Sequence, residues 1–260
     1  MSYKQYTIRD HSQQTVYQWV DRDLAGEIEL CRRRALGFLF KKYLPTDGTI
    51  LEAGCGLGGW VKYLDLAGYQ VIGVDWYESV VAAAKSADAS LPVQVGDVRR
   101  LDFADGTLAA YVSLGVIEHF ESGPEDVLRE AYRVLRPGGV VIITVPALTV
   151  VRRFLVHPLR TTVMRLLHLV GKPIHFAEYR YSLMELTRYI KGAGFKVLAT
   201  ELDDVLPSEG EYHMGLFVDF PILRSDASMK LNRLGKLVRT TARLLPDRAY
   251  ANGYFVAAVK

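Results

Sequence analysis

Leu51-Glu52-Ala53-Gly54-Cys55-Gly56-Leu57-Gly58-Gly59 decides how this chain is read. The short apolar run Thr49–Ala53 has the composition of a buried strand, and it runs directly into closely spaced glycines. Trp60–Ala67 then suits a helix that Gly68 stops. Glycine lets a backbone turn sharply and lets a ligand approach without a Cβ in the way. The N–H groups at the start of a helix favour an anionic group. The position also suits a ligand, because open α/β sheets bind at the C-terminal ends of their strands.

Outward from the loop, strand and helix alternate. Gln70–Val74, Pro92–Val95, Leu108–Leu114, Val140–Val145, Phe195–Thr200 and Gly253–Val259 read as strands. Glu78–Asp88, Glu125–Leu135 and 183–192 read as helices, the last opened by the capping box Ser182-Leu183-Met184-Glu185. Val140–Val145 is almost wholly β-branched, as a strand buried on both faces should be. Such alternation implies parallel pairing through right-handed crossovers. The expected fold is therefore α/β, a Rossmann-like, seven-stranded, mostly parallel sheet with helices on both faces and an inserted helical cap. Residues 1–48 read as an N-terminal helical extension, with one amphipathic helix over 22–43. The main domain covers 49–260, with insertions at 147–181 and 202–250.

The glycine loop alone is ambiguous. Gly54, Gly56 and Gly59 satisfy the G-x-G-x-x-G dinucleotide pattern, whereas Gly54, Gly56 and Gly58 satisfy the G-x-G-x-G of methyltransferases. Asp75, about 20 residues after the loop, sits where an acid binds ribose hydroxyls in either case. Three features break the tie. Glu52 precedes the glycines, where a carboxylate would repel a pyrophosphate but could hold an ammonium group. Gly96-Asp97-Val98 follows the third strand, where Asp97 can accept from an adenine amino group and Val98 can offer its N–H. The fourth strand ends in Ser113-Leu114-Gly115-Val116-Ile117-Glu118-His119-Phe120, and Arg136-Pro137-Gly138-Gly139 precedes the fifth.

LEAGCGLG, VIGVD, VGDV, SLGVIEHF and LREAYRVLRPGGVVIITVP resemble the successive motifs of class I S-adenosylmethionine-dependent methyltransferases. Within them the resemblance is to the bacterial group that includes quinone-biosynthesis O-methyltransferases. It covers roughly 49–146 and 179–200, and it is specific for the superfamily and unspecific for the acceptor. It implies S-adenosylmethionine as cofactor. Gly54, Gly56 and Gly58 would pass under the methionine portion and ribose, and Glu52 would hold the amino group. Asp75 would bind the ribose hydroxyls, Trp76 would lie against the adenine, and Asp97 and Val98 would read it. Ser113 and Leu114 would line the methionine side and face the acceptor. GYFVAAV (253–259) would be the seventh strand, antiparallel to the rest.

The sulfonium makes its methyl electrophilic, so the protein's task is to align a nucleophile and exclude water. A base is needed only for a protonated nucleophile, and His119, just past the fourth strand, is the candidate. A packing or capping role for His119 is the plainer alternative, and the same holds for Glu118. No metal site is expected, because His11, His119, His157, His168, His175 and His213 show no ligand spacing. A nicotinamide-dependent oxidoreductase remains the competing enzyme class, and a non-catalytic S-adenosylmethionine-binding protein the third reading.

Composition is that of an ordinary globular chain: half of the 260 residues are hydrophobic and the net charge is +3. No apolar run is long enough to span a membrane, and the N-terminus lacks an apolar signal core. With only Cys31 and Cys55, a reduced cytoplasmic protein is expected. The basic charge is concentrated: 147–177 hold five Arg/Lys and no acid, and 221–250 hold seven against two acids. In the first segment, Arg153, His157, Arg160, Arg165 and His168 fall near one helical face, and Pro158 should split it into two short helices. It reads as a lid over an anionic acceptor, as peripheral membrane contact that admits a lipid-like one, or as simple packing. Lys230, Arg233, Lys236, Arg239 and Arg243 mark a second amphipathic helix. Tyr3, Tyr6, His11, Tyr17 and Trp19 could close over the cofactor or merely pack. The partner expected is a small-molecule acceptor, anionic or lipid-like, and no nucleic acid, since no RNA-binding module accompanies the basic segments.

Overall fold

The central strands carry the β-branched and aliphatic residues that a sheet covered on both faces requires. In the computed structural model, which describes residues 2–8, 23–34, 36–203, 221–223, 225, 231–242, 244–249 and 251–260, they form one seven-stranded sheet. Its strands are β2 (Ile50–Ala53), β3 (Val71–Asp75), β4 (Val93–Val95), β5 (Leu108–Leu114), β6 (Leu135–Pro146), β8 (Lys196–Asp203) and β9 (Gly253–Val259), in the order β4-β3-β2-β5-β6-β9-β8. The pairs among β2 to β6 are parallel, and β9 is antiparallel to both β6 and β8. The expected antiparallel seventh strand is therefore β9, inserted between β6 and β8.

Alternation along each strand divides the core into two layers. Leu51, Tyr111, Val141 and Ile143 pack on one face with α5 (Glu125–Val134) and α7 (Leu183–Gly192). Ile50, Ala110, Val112 and Ile142 pack on the other with α1 (Leu24–Arg33), α2 (Leu36–Tyr43), α3 (Gly59–Leu66) and α4 (Glu78–Ala87).

The single helix expected over 22–43 is two. Arg34 turns extended (φ −84°, ψ 141°), and its guanidinium meets Asp203 at 2.9 Å, which ties the helical pair to the sheet. Nor is 1–48 wholly helical. Tyr3–Thr7 is a strand, β1, paired antiparallel with β7 (His175–Arg180), so the insertion expected as a helical cap also contains a strand. Pro158 does not split that insertion. A π-helical turn, Arg152–Val156, runs straight into α6 (His157–Leu169) with the proline in its first turn. There its missing N–H is tolerated, and the wider preceding turn makes room for the ring against the carbonyl four residues back. Of the second basic segment, α8 (Arg233–Ala242) is a helix as expected; Lys230 and Arg243 lie outside the described residues.

Arg152 fixes the insertion to the sheet. Its side chain is fully buried, and Nη1 donates to the carbonyls of Ala147, Ala251 and Asn252 at 3.1, 2.9 and 2.8 Å. Hydrogen bonds from a charged donor contribute about 1.5–3 kcal/mol, and buried carbonyls left unpaired cost more. Arg152→Met is therefore expected to lower unfolding free energy by roughly 3 kcal/mol in urea titration, whereas exposed Arg153→Met stays within about 0.5 kcal/mol. Equal effects would contradict this anchoring role.

Candidate active site

β2 delivers the chain to a turn whose first residue tolerates no side chain. Gly54 has φ +82°, and a Cβ there would collide with Val116. Its N–H and that of Cys55 both donate to the Val74 carbonyl, at 2.7 and 3.0 Å, so the loop leaves β2 bonded to β3. Gly56 (φ +54°) and Gly58 (φ +78°) are also left-handed, and Gly58 caps α3. Gly59 lies against Glu27 of α1, where a Cβ would come within 2.8 Å of the Glu27 Cβ. The fourth glycine thus serves helix packing.

Asp75, at the end of β3, is built into the loop. Its Oδ2 accepts from the Gly56 N–H at 2.8 Å and its Oδ1 from the Tyr77 N–H at 3.0 Å. Each oxygen keeps a further lone pair for a ligand hydroxyl.

Glu52, one residue before the end of β2, is only 3% exposed, and its Oε2 has no hydrogen-bond partner. Burial pushes its carboxyl well above the usual range, and the charges of Asp75 and Glu27 push it further. A carboxylate so placed is complementary to an ammonium group. The orphaned Glu52 oxygen and the left-handed glycine turn after it both fit the methionine end of S-adenosylmethionine.

Asp97 follows β4. Burial raises its carboxyl, and hydrogen bonds and charge from Arg99 outweigh this and hold it below the usual range. The pairing is bidentate, with Nε at 3.0 and 3.1 Å and Nη2 at 2.8 Å. The same guanidinium lies 5.2 Å from the ring centroids of both Trp76 and Phe120. Trp76 is 57% exposed, and Val98 is buried. Arg99 was not singled out from the sequence, although an arginine two residues from an acid beside an exposed Trp is the signal that could have found it.

At the end of β5, Ser113 is fully buried with its Oγ unpartnered, and Leu114 is half-buried. The chain turns at Gly115 (φ +73°) into the 3-10 turn Ile117–His119. His119 Nδ1 lies 2.9 Å from the Ala177 carbonyl, an acceptor only, so Nδ1 carries the proton. Glu118 is 2% exposed with an unpartnered Oε2. Burial, then the charge of Glu178, raises its carboxyl well above the usual range. Glu118, His119 and Glu178 bring potential ligand atoms within 4.8 Å of one another. Sequence spacing could not reveal this cluster, because Glu178 joins only through β7. Of the N-terminal aromatics, two pack against the insertion: Tyr3 stacks on His157 at 3.7 Å and Tyr6 meets Phe176 edge-on at 6.5 Å. His11, Tyr17 and Trp19 lie outside the described residues. The five basic side chains expected on one face of the insertion divide: His157 is buried and Arg160 half-buried, while Arg153, Arg165 and His168 are exposed.

Comparison with known proteins agrees with this geometry. Residues 51–143 match the family model described as a methyltransferase domain. The matched segment, 51–143, takes in the glycine loop and the ends of β2 to β5. A probable S-adenosylmethionine-dependent methyltransferase of Mycolicibacterium smegmatis is 32% identical over 148 residues, covering 57% of this chain and 52% of the relative. A malonyl-[acyl-carrier protein] O-methyltransferase of Pectobacterium atrosepticum is 34% identical over 92 residues, covering 35% and 36%. The crystal structure of a SAM-dependent methyltransferase from Archaeoglobus fulgidus superposes with a TM-score of 0.58 at 15% identity, covering 96% of this chain and all of that one. The chain spans about half the length of the first of these relatives. These similarities are to S-adenosylmethionine-dependent enzymes and not to dinucleotide-binding ones. No helix among the described residues is long and apolar enough to cross a membrane.

The buried carboxyls give the protein a pH signature. Glu52 and Glu118 hold protons in the folded state that the unfolded chain releases near pH 4.5. Stability therefore falls as pH rises from there through the folded pKa values. The Tm of the protein without added cofactor is expected to drop between pH 5 and pH 8. Glu52→Gln/Glu118→Gln should flatten that slope and gain stability at pH 8; parallel slopes would refute the assignment.

Proposed function

We propose that this protein transfers a methyl group from S-adenosylmethionine to a hydroxyl of a small-molecule or lipid-like acceptor. The observation that carries this reading is the buried Glu52 carboxyl, with Oε2 unpartnered, directly ahead of the glycine-rich loop. Glu52 takes the ammonium. Gly54, Gly56 and Gly58 carry the loop beneath the methionine portion and ribose. Asp75 uses its remaining lone pairs for the ribose hydroxyls. Trp76 lies against the adenine, and Asp97 and the Val98 N–H read its edge, with Arg99 sharing the Asp97 carboxylate. Ser113 and Leu114 line the methionine side and face the acceptor.

The bound cofactor supplies an electrophilic methyl on a positively charged sulfur. The chain's own contribution to the reaction is alignment, exclusion of water, and a place for the acceptor's proton. His119 suits the last role. With Nδ1–H directed at the Ala177 carbonyl, the basic nitrogen of the neutral ring is Nε2. A base so oriented favours an acceptor that arrives protonated, which supports O-methylation, as does the similarity over about a third of the chain to an O-methyltransferase.

Thermal unfolding with S-adenosylhomocysteine tests the cofactor roles. A ligand at a hundred times its Kd stabilises by about 2.7 kcal/mol, so a clear Tm rise is expected with S-adenosylhomocysteine and none with NADH. Glu52→Gln should weaken S-adenosylhomocysteine roughly ten- to a hundredfold, the loss of a charged hydrogen bond of about 1.5–3 kcal/mol. His119→Ala should leave that affinity intact and lower kcat about a hundredfold or more on hydroxyl acceptors. A Tm rise with NADH alone would sink the reading, and an unchanged kcat would remove His119 from the chemistry.

A further inference from the structure

We propose that the outer face of the π-turn and α6 is an interfacial membrane-docking surface that seats the protein on anionic phospholipid. The inference is independent of the reaction. It rests on the way this helix is mounted and on what its two faces carry.

The inner face is pinned. The Tyr3 ring stacks on His157 at 3.7 Å, the Tyr3 hydroxyl meets Thr161 Oγ1 at 2.6 Å, and Arg160 donates to the Tyr6 carbonyl at 2.9 Å. β1 is itself paired along β7. The helix therefore cannot rotate without breaking this layer, and its opposite face is held outward.

That outward face is apolar. Leu155, Leu159, Val163, Leu166 and Val170 recur at spacings of four, four, three and four residues and are 60, 60, 42, 58 and 72% exposed. Phe154 and Leu169 flank them and are still more exposed. A surface helix normally turns its apolar stripe to the core, and a contiguous exposed stripe marks an interaction site.

The charges around the stripe select the partner. Arg165 and Lys172 are exposed near it, and residues 147–177 contain no acid. A second copy docked through the same helix would bring these cations together with no carboxylate between them, which is repulsive in either orientation. Anionic headgroups supply the missing countercharge while the acyl boundary takes the leucines and phenylalanine, with the long basic side chains reaching up to the phosphates. With 13 residues, α6 is too short to span a bilayer and lies in the plane of the interface.

Flotation with vesicles of phosphatidylcholine alone, and of phosphatidylcholine with phosphatidylglycerol, tests this. The protein is expected to float with the phosphatidylglycerol vesicles, with partitioning at least about tenfold weaker on phosphatidylcholine alone and weakened by added salt. Leu159→Glu/Leu166→Glu should abolish flotation, and Arg165→Glu/Lys172→Glu should lower it about tenfold or more. Both double variants should keep the wild-type Tm and S-adenosylhomocysteine affinity, because the altered side chains touch neither the core nor the glycine loop. If the leucine pair misfolds, the charge-reversal pair decides. Absence of flotation, equal binding to both vesicle types, or undiminished binding of the charge-reversal variant overturns the proposal. So does a concentration-dependent dimer, broken by Leu159→Glu/Leu166→Glu, in protein that ignores vesicles; that outcome assigns the face to a second copy. Each of these leaves the cofactor assignment standing, since S-adenosylhomocysteine binding is measured separately.

Discussion

A carboxylate taken out of water loses more than neutral neighbours can return, and the protein either protonates it or brings it a cation. Glu52 is in this position at the end of β2, and its neighbours sharpen the problem. Asp75 and Glu27 add negative charge, and no described donor reaches Oε2. Beside this one group the loop takes a shape that only glycine allows. Gly54 has no side chain because Val116 occupies the place a Cβ would take. Asp75 spends one oxygen on the Gly56 N–H, so the loop keeps its shape without a ligand. The fold therefore carries a standing cost that only a cationic ligand, or a proton, relieves.

The sheet order explains why these groups meet. Successive strands run outward from β2 through β3 to β4 on one side, and from β5 to β6 on the other. The chain thus reverses its direction of winding between β2 and β5, and the connections leaving adjacent strands diverge there to open a crevice. Glu52, Gly54, Asp75, Asp97 and Ser113 all sit at C-terminal strand ends along that crevice. Antiparallel β9 lies on the far side of β6, between it and the edge strand β8, and buries the β6 edge without intruding on the site.

The parts of the fold that depend on local pattern were legible from residue types alone. A β-branched run such as Val140–Val145 admits little but a central strand, and Gly54 to Gly59 between a strand and a helix admits few turns. Side-chain pairing across distant segments was not legible. Arg34 breaks a continuous helical pattern because Asp203, 169 residues later, holds its guanidinium. Tyr3–Thr7 is a strand because β7 offers an edge. Pro158 failed to split its segment because the preceding turn widened. In the candidate site, Glu52, Asp75 and Asp97 lie at or just past strand ends, positions that residue order alone can mark. Arg99 on Asp97, and Glu178 beside Glu118 and His119, depend on tertiary approach.

The insertion between β6 and α7 shows how one helix can answer to two surroundings. Its buried side is polar: Arg152, His157, Arg160 and Thr161 bond to backbone carbonyls or lie against Tyr3. Its exposed side is apolar and basic. This inverts the usual partition, in which leucines go inward and arginines outward. Arg152 is held by carbonyls at the β6 and β9 ends, so its burial costs little further desolvation. That frees the leucines from any duty in the core. His119, in turn, reaches the Ala177 carbonyl on β7, the strand that follows this helix. The segment that positions the imidazole is therefore continuous in chain with the segment that presents the apolar face, and a surface that binds the one would deliver an acceptor beside the other.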